Sequence, residues 1–249
     1  MKFKNKAVVV TGGGTGIGRA ICLRFAREGA AVVVNYSQSK PQADEVVSRI
    51  EGAGGRAWAI QADVSDDRQA RQLIAQAVAR MGRLDLLINN AGWTRFIPHH
   101  ELERLSEAVL ENTWGVIVKG PIYCIRAAVP HLKATGDASI INTTSIAAYT
   151  ARGSSLIYVA AKSALAGITK ALARALAPEI RVNAIAPGFV DTGFVNWTPE
   201  ALEDLQKPTR LGGPISREDV ADAAVYLAAD AKSTTGQTIL VDAGEAALG

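Results

Sequence analysis

The sequence predicts an α/β fold, a doubly wound, Rossmann-type parallel sheet of about seven strands with helices on both faces. Two observations predict it. Short β-branched runs alternate with longer segments of helical periodicity, which is the pattern of repeated βα units. The strand runs are also nearly all apolar, as strands covered on both faces must be.

The elements follow in chain order. Ala7 to Thr11 reads as the first strand and Gly18 to Glu28 as the helix after it. Ala31 to Asn35 leads to a helix over Gln42 to Glu51, and Ala57 to Ala62 leads to one over Asp67 to Met81. Leu84 to Asn89 is followed by a long helical stretch around Glu103 to Ala134. Ser139 to Asn142 precedes a helix over Ser154 to Ala177, and Ile180 to Ala186 is the sixth strand. Arg217 to Ala229 is the last helix and Gln237 to Val241 the last strand. The most loop-like region is 187–214, with three prolines after its start and a short helical piece, Pro199 to Gln206. An insertion of this kind over a sheet end suits a substrate lid.

At 249 residues the chain suits one domain spanning 1–249. A composition of 48% hydrophobic and 20% charged residues is that of an ordinary globular protein, and a net charge of +3 is too small for a nucleic-acid footprint. Cys22 and Cys124 lie in helical stretches without CxxC spacing, so they read as buried free thiols of a reducing compartment. Met1 to Lys6 is basic, but Ala7 to Val10 is too short for a signal-peptide core. No later segment reads as a membrane span, and the expectation is a soluble cytoplasmic protein. His99, His100 and His131 show no ligand spacing, so no metal is expected.

Directly after the first strand comes Thr11-Gly12-Gly13-Gly14-Thr15-Gly16-Ile17-Gly18, placing the glycines in a strand-to-helix turn. Glycine lets the backbone approach a pyrophosphate, whose charge meets the free N–H groups and positive dipole end of the helix. The spacing TGxxxGxG resembles that of the short-chain dehydrogenase/reductase family. The resemblance implies cofactor contacts from Gly12, Thr15, Gly16, Ile17 and Gly18.

In sheets of this type the end of the second strand faces the adenosine ribose, where a carboxylate binds the 2′-hydroxyl and repels a 2′-phosphate. This chain has Asn35-Tyr36-Ser37, with no acid, and Lys40 beyond. Neutral donors and a lysine suit a phosphate, so NADP is preferred and NAD remains possible. Two points weigh the other way. Thr15 stands where many NADP-preferring relatives carry Arg or Lys, and Tyr36 and Ser37 also fit a solvated loop. Asp63-Val64 matches the family's adenine-contacting pair, although Asp63 equally suits a helix cap. Asn89-Asn90-Ala91-Gly92 matches the family's NNAG element, which borders the cofactor through Asn90, Ala91 and Gly92.

Tyr158 and Lys162 are four apart in a helical stretch, which puts both on one face. A free tyrosine, with a pKa of about 10, is a poor base near neutrality, and a neighbouring cation favours its phenolate. Ser145 falls just past the fifth strand, at the sheet edge where α/β proteins place ligands. The resemblance implies that Ser145 polarises a carbonyl, Tyr158 transfers the proton, and Lys162 lowers the tyrosine pKa and holds the nicotinamide ribose. Asn112 matches the family's asparagine, which kinks its helix and supports a proton relay. Pro187-Gly188, with Val190 and Thr192, matches the PGxxxT element over the nicotinamide carboxamide.

These matches imply an oxidoreductase moving a hydride between nicotinamide and a carbonyl or alcohol substrate. Most relatives of this length are homotetramers formed through the helices bearing Asn112 and Tyr158. The substrate is open between ketoacyl thioester, sugar, small ketone and quinone. Trp93, Phe96, Phe189, Phe194 and Trp197 suggest an apolar or planar one. Arg174 could meet an acidic carrier protein, whereas Asp137 weakens the basic patch that such a carrier needs. A cofactor-binding sensor or scaffold, or an epimerase or dehydratase, are the alternatives on the same fold.

Overall fold

The computed structural model describes residues 1–205, 209–213 and 215–248. Its seven strands are all parallel and run β3-β2-β1-β4-β5-β6-β7 across one sheet. They are β1 (Ala7–Val10), β2 (Ala31–Tyr36), β3 (Arg56–Gln61), β4 (Leu86–Asn89), β5 (Ala138–Thr143), β6 (Ile180–Pro187) and β7 (Thr238–Val241). The predicted strands match these within two residues at each end.

The pleat divides the side chains between two cores. Val8 and Val10 of β1 face a cluster with Ile21, Phe25 and Val225, whereas Val9 between them joins Leu73, Leu87 and Ile140 on the other face. Helices α1 (Gly16–Arg27), α2 (Lys40–Gly52) and α9 (Arg217–Ala229) contribute to the first cluster. The second is covered by α3 (Asp67–Met81), α5 (Gly120–Lys133) and α7 (Leu156–Leu176). Strand order reverses between β1 and β4, and their carboxyl ends open the crevice where sheets of this kind bind ligands.

The helical stretch expected around Glu103 to Ala134 is not continuous. A 3-10 turn, Leu102–Arg104, is followed by α4 (Glu107–Trp114), one π turn over Gly115–Lys119, and then α5. The Gly120 N–H reaches back to the Gly115 carbonyl. A Cβ on Gly120 would come within 2.9 Å of Val64 Cγ2, so the helix passes hard against the turn after β3. Two short turns went unpredicted, α6 (Ala147–Thr150) and α10 (Glu245–Leu248). The Asp242 carboxylate accepts from the Gly244 and Ala246 N–H groups and folds the tail into α10; Gly249 lies outside the described residues.

Helix α7 also corrects the sequence reading, because it is long and apolar enough to cross a membrane by length and composition. It passes that test because alanine and leucine dominate its 21 residues. In the fold it is a domain helix, with Ala161, Lys162, Leu165, Thr169 and Ala173 turned inward. Segment 187–213, where a lid is expected, contains α8 (Pro199–Leu205); Gln206 and Pro214, at the ends expected for its helix and for the lid, lie outside the described residues.

Candidate active site

The glycine turn is built by contacts that spacing alone does not reveal. Thr11, at the end of β1, accepts from the Asn90 and Ala91 N–H groups at 2.9 and 3.0 Å. The Asn90 amide donates back to the Thr11 and Gly12 carbonyls at 3.1 and 3.2 Å, locking the turns after β1 and β4 together. At Gly18 a Cβ would fall 2.1 Å from the Gly12 carbonyl oxygen, so no other residue fits. Gly16 has φ +51° and lies against Thr192, in the segment after β6. Helix α1 starts without a side-chain cap and without an acid in its first turn. Its leading N–H groups and positive end therefore face the crevice, which fits a pyrophosphate.

Ser145, Tyr158 and Lys162 line one cavity of about 650 Å³ with Gly12, Gly16 and Gly92. Ser155 caps α7 by accepting from the Tyr158 N–H at 3.3 Å, so the cap fixes the start of the turn that carries the tyrosine. The Ser145 hydroxyl is hydrogen-bonded to the Tyr158 phenol and accepts from the Ala147 N–H at 3.2 Å. Burial pushes the phenol up to about 12, against the downward pull of the Ser145 bond. Lys162 is 4% exposed and donates to the Thr143 carbonyl at 2.7 Å. Its ammonium lies 5.6 Å from the Tyr158 ring centre, and burial pushes it down to about 7. The sequence reading has Lys162 lower the tyrosine pKa; in this structure the downward pull comes from Ser145, and the Lys162 ammonium is bonded to the Thr143 carbonyl.

The family model for enoyl-(acyl carrier protein) reductase matches residues 12–245. An uncharacterised oxidoreductase of Methylorubrum extorquens is 40% identical over 249 residues, covering 98% of each chain. The 3-oxoacyl-[acyl-carrier-protein] reductase of Staphylococcus epidermidis is 38% identical over 245 residues, 96% of this chain and 98% of the relative. The chain belongs to the short-chain dehydrogenase/reductase family. A short-chain dehydrogenase of Burkholderia cenocepacia, solved in complex with NADP, superposes with a TM-score of 0.92 at 33% identity, covering 99% of this chain and all of that one. This chain is accordingly a nicotinamide-dependent oxidoreductase acting on a carbonyl or alcohol.

In this short-chain reductase the other predicted residues are placed unevenly. Thr15, Ile17, Asn90, Ala91, Pro187, Gly188, Val190 and Thr192 also line the cavity. Asn35 does not, and its side chain is not offered to a cofactor. It is 1% exposed, accepts from the Gly12 N–H at 3.2 Å, and donates to the Ala62 carbonyl at 3.0 Å. Asn35 thus shapes the glycine turn from beneath, because its side chain points into the sheet layer. Tyr36 is buried and Ser37 exposed. Lys40 is paired with Asp44 at 2.6 Å. Asp63 accepts from the Ser65 N–H and hydroxyl at 2.9 and 2.7 Å, and the cap of α3 is Asp66 instead. Val64 is buried against Gly120. Asn112 is exposed on α4, outside the cavity lining, and its carbonyl accepts from the N–H of Gly115, where the π turn begins.

The far wall is aromatic. Trp197 lies 5.2 Å from Phe96 and 6.4 Å from Phe189 between ring centres, and Phe194 rests against Gly92. Sequence reading missed Thr143, whose buried hydroxyl has no partner among the described residues, and His99, which lines the same cavity. It also missed a buried chain beneath the site, in which Asn89 donates to Asn142 and Asn142 to Thr169, each at 2.9 Å. The polar run Asn142-Thr143-Thr144 at the end of an apolar strand was the available signal.

Proposed function

We propose that residues 1–249 act as one NADP-preferring carbonyl reductase domain in which Tyr158 is the proton donor, with segment 187–214 as its substrate lid. The observation that carries this reading is the convergence of Ser145, Tyr158 and Lys162 in the cavity that runs along the glycine turn. Bound there, the nicotinamide supplies the hydride to the carbonyl carbon. Tyr158 gives its phenolic proton to the oxygen, which leaves an alcohol and the oxidised cofactor. A phenol near 12 is in the acid form throughout the neutral range, ready to give its proton to the carbonyl oxygen. Ser145 donates to the carbonyl oxygen and polarises it. Lys162, held by Thr143, would hold a ribose hydroxyl of the cofactor and, when protonated, places a cation beside the phenol.

NADP preference is supported by the absence of an acid at 35–37 and by the NADP bound to the Burkholderia relative. A homotetramer is supported by apolar side chains left exposed on α4, α5 and α7: Leu110, Trp114, Ile122 and Leu156. The two free, buried thiols fit a cytoplasmic setting.

The test is NADPH oxidation with a panel of ketoacyl thioesters, diketones, sugars and quinones, run beside Tyr158→Phe. Turnover should fall by about 10² to 10⁴ in the variant while NADPH affinity holds within a few-fold. Undiminished turnover would remove Tyr158 from the mechanism.

A further inference from the structure

The phenol of Tyr158 is placed by more than its own helix. Segment 153–155, between α6 and α7, touches this residue twice. Ser155 accepts from the Tyr158 N–H at 3.3 Å, and a Cβ on Gly153 would lie 3.2 Å from Cδ1 of the Tyr158 ring. The bare backbone of Gly153 is therefore a seat for the ring, and Ser155 sets the turn from which the side chain projects.

The seat does not hold itself. Ala151, where α6 ends and the segment begins, has φ +56°, a left-handed conformation that a residue with a Cβ keeps only when its surroundings impose it. Those surroundings include the loop after β4. Thr94 Oγ1 lies 2.8 Å from the Ser154 hydroxyl and 3.4 Å from the Ser155 hydroxyl, and the Ile97 N–H donates to the Ser154 carbonyl at 2.8 Å. Ser154, Ser155 and Ile97 are all buried. Thr94 does not line the cavity, whereas Gly92 and Phe96 on either side of it in the loop do.

We propose that Thr94 is a positioning residue for proton transfer, holding segment 153–155, and with it the Tyr158 phenol, through its bonds to Ser154 and Ser155. One loop then carries a wall of the cofactor crevice at Gly92, a wall of the substrate space at Phe96, and between them the hold on the proton donor. Reacting groups need this kind of support from side chains that never meet the substrate, and a displacement of about 1 Å costs on the order of a hundredfold in rate. The role in proton transfer rests on the reading of Tyr158 as the proton donor; the hold of Thr94 on the ring does not.

The experiment compares native protein with Thr94→Val, Thr94→Ser and Ser154→Ala. Each is prepared once unlabelled for kinetics and once with m-fluorotyrosine, the Tyr158 fluorine signal being assigned by its loss in Tyr158→Phe. Thr94→Val removes the hydroxyl and should move or broaden that signal. With the panel compound that native protein reduces fastest, kcat should fall about tenfold or more while KM and NADPH affinity hold within about threefold. Thr94→Ser should recover most of the rate and the native signal. Ser154→Ala breaks the same bond from the other side, so it should give a similar loss, and the double variant should lose little more than either single one. An unmoved Tyr158 signal in Thr94→Val would overturn the proposal, as would a native kcat beside a displaced signal. Joint losses of kcat, NADPH affinity and melting temperature that Thr94→Ser does not repair would make Thr94 a structural residue only, and overturn it too. Turnover that survives Tyr158→Phe, or no turnover of any panel compound, would count against the reductase reading alone, and the fluorine signal would then decide whether Thr94 holds the ring.

Discussion

Lys162 of α7 and the Thr143 carbonyl at the end of β5 are joined by a 2.7 Å hydrogen bond in an interior that leaves the lysine 4% exposed. In the unfolded chain this lysine titrates near 10.5, and in the fold at about 7. Between those values the unfolded chain binds the extra proton, so stability rises with pH across the window. Below about pH 7 both states are charged and the cost of burying the ammonium is present in full. Lys162→Met removes that cost, and the lost Thr143 bond subtracts an amount that does not change with pH. The variant should be the more stable at pH 6 by a few kcal/mol, its margin narrowing by about 1 kcal/mol per pH unit between 7 and 10. Thermal melts at four pH values decide this, and a margin flat with pH would mean that Lys162 stays protonated in the fold.

Gly18 is the tightest position in the glycine turn. An added Cβ would fall 2.1 Å from the Gly12 carbonyl oxygen and 2.5 Å from the Asn90 amide nitrogen, neither of which can retreat without opening the turn. Gly18→Ala should therefore cost about 1–3 kcal/mol of stability and weaken NADPH binding by at least tenfold. Calorimetric titration beside a denaturant melt measures both. Normal affinity in the variant would place the pyrophosphate elsewhere.

The chain from Asn89 through Asn142 to Thr169 ties β4, β5 and α7 beneath the site, and Thr169 ends it on the Leu165 carbonyl at 2.9 Å. Asn142 and Thr169 are both fully buried. Asn142→Ala strands the Asn89 amide and removes the donor to the Thr169 oxygen, for which a loss of about 2–4 kcal/mol is expected. If the chain acts as a unit, Thr169→Val should add less on that background than it costs alone. A double-mutant cycle by chemical denaturation should return a coupling above about 0.5 kcal/mol, and strict additivity would refute the linkage.

How much of this was legible depended on whether local chemistry or tertiary contact decided the outcome. Helices α3 and α9 were read to their end residues because their stops are local: Asp66 caps α3, Gly82 ends it at φ +75°, and Ser216 with Asp219 forms a capping box at α9. The distortion at the π turn over Gly115–Lys119 was legible only as the kink that the resemblance implies at Asn112; its extent was not, since Gly120 at its end packs on Val64, far away in sequence. Turns of four residues such as α6 show no periodicity to detect. Ser145, Tyr158 and Lys162 could be found because their spacing relative to β5 and α7 is itself the signal. The inward turn of Asn35 could not, because side chains at a strand end take their direction from partners, here Gly12 and Ala62. Spacing likewise gave the separation of Tyr158 from Lys162 but not the burial that moves both pKa values.

Arg217 stands in the first turn of α9, where the helix dipole disfavours a cation by a few tenths of a kcal/mol or more. Its guanidinium donates to the Asp191 carbonyl at 2.6 and 3.2 Å, at the base of the segment proposed as a lid and next to Thr192, which covers Gly16. The two effects oppose each other, so they can be separated. If Arg217 served only its own helix, Arg217→Ala would leave the protein equally or more stable and the lid unchanged. If it clamps the lid, the melting temperature should hold within a degree or two while protease cleavage within 192–213 speeds several-fold and KM rises more than kcat falls. Limited proteolysis with and without NADPH distinguishes the cases. Cleavage at the native rate in the variant would leave the Thr192 contact with Gly16 as the hold on the lid.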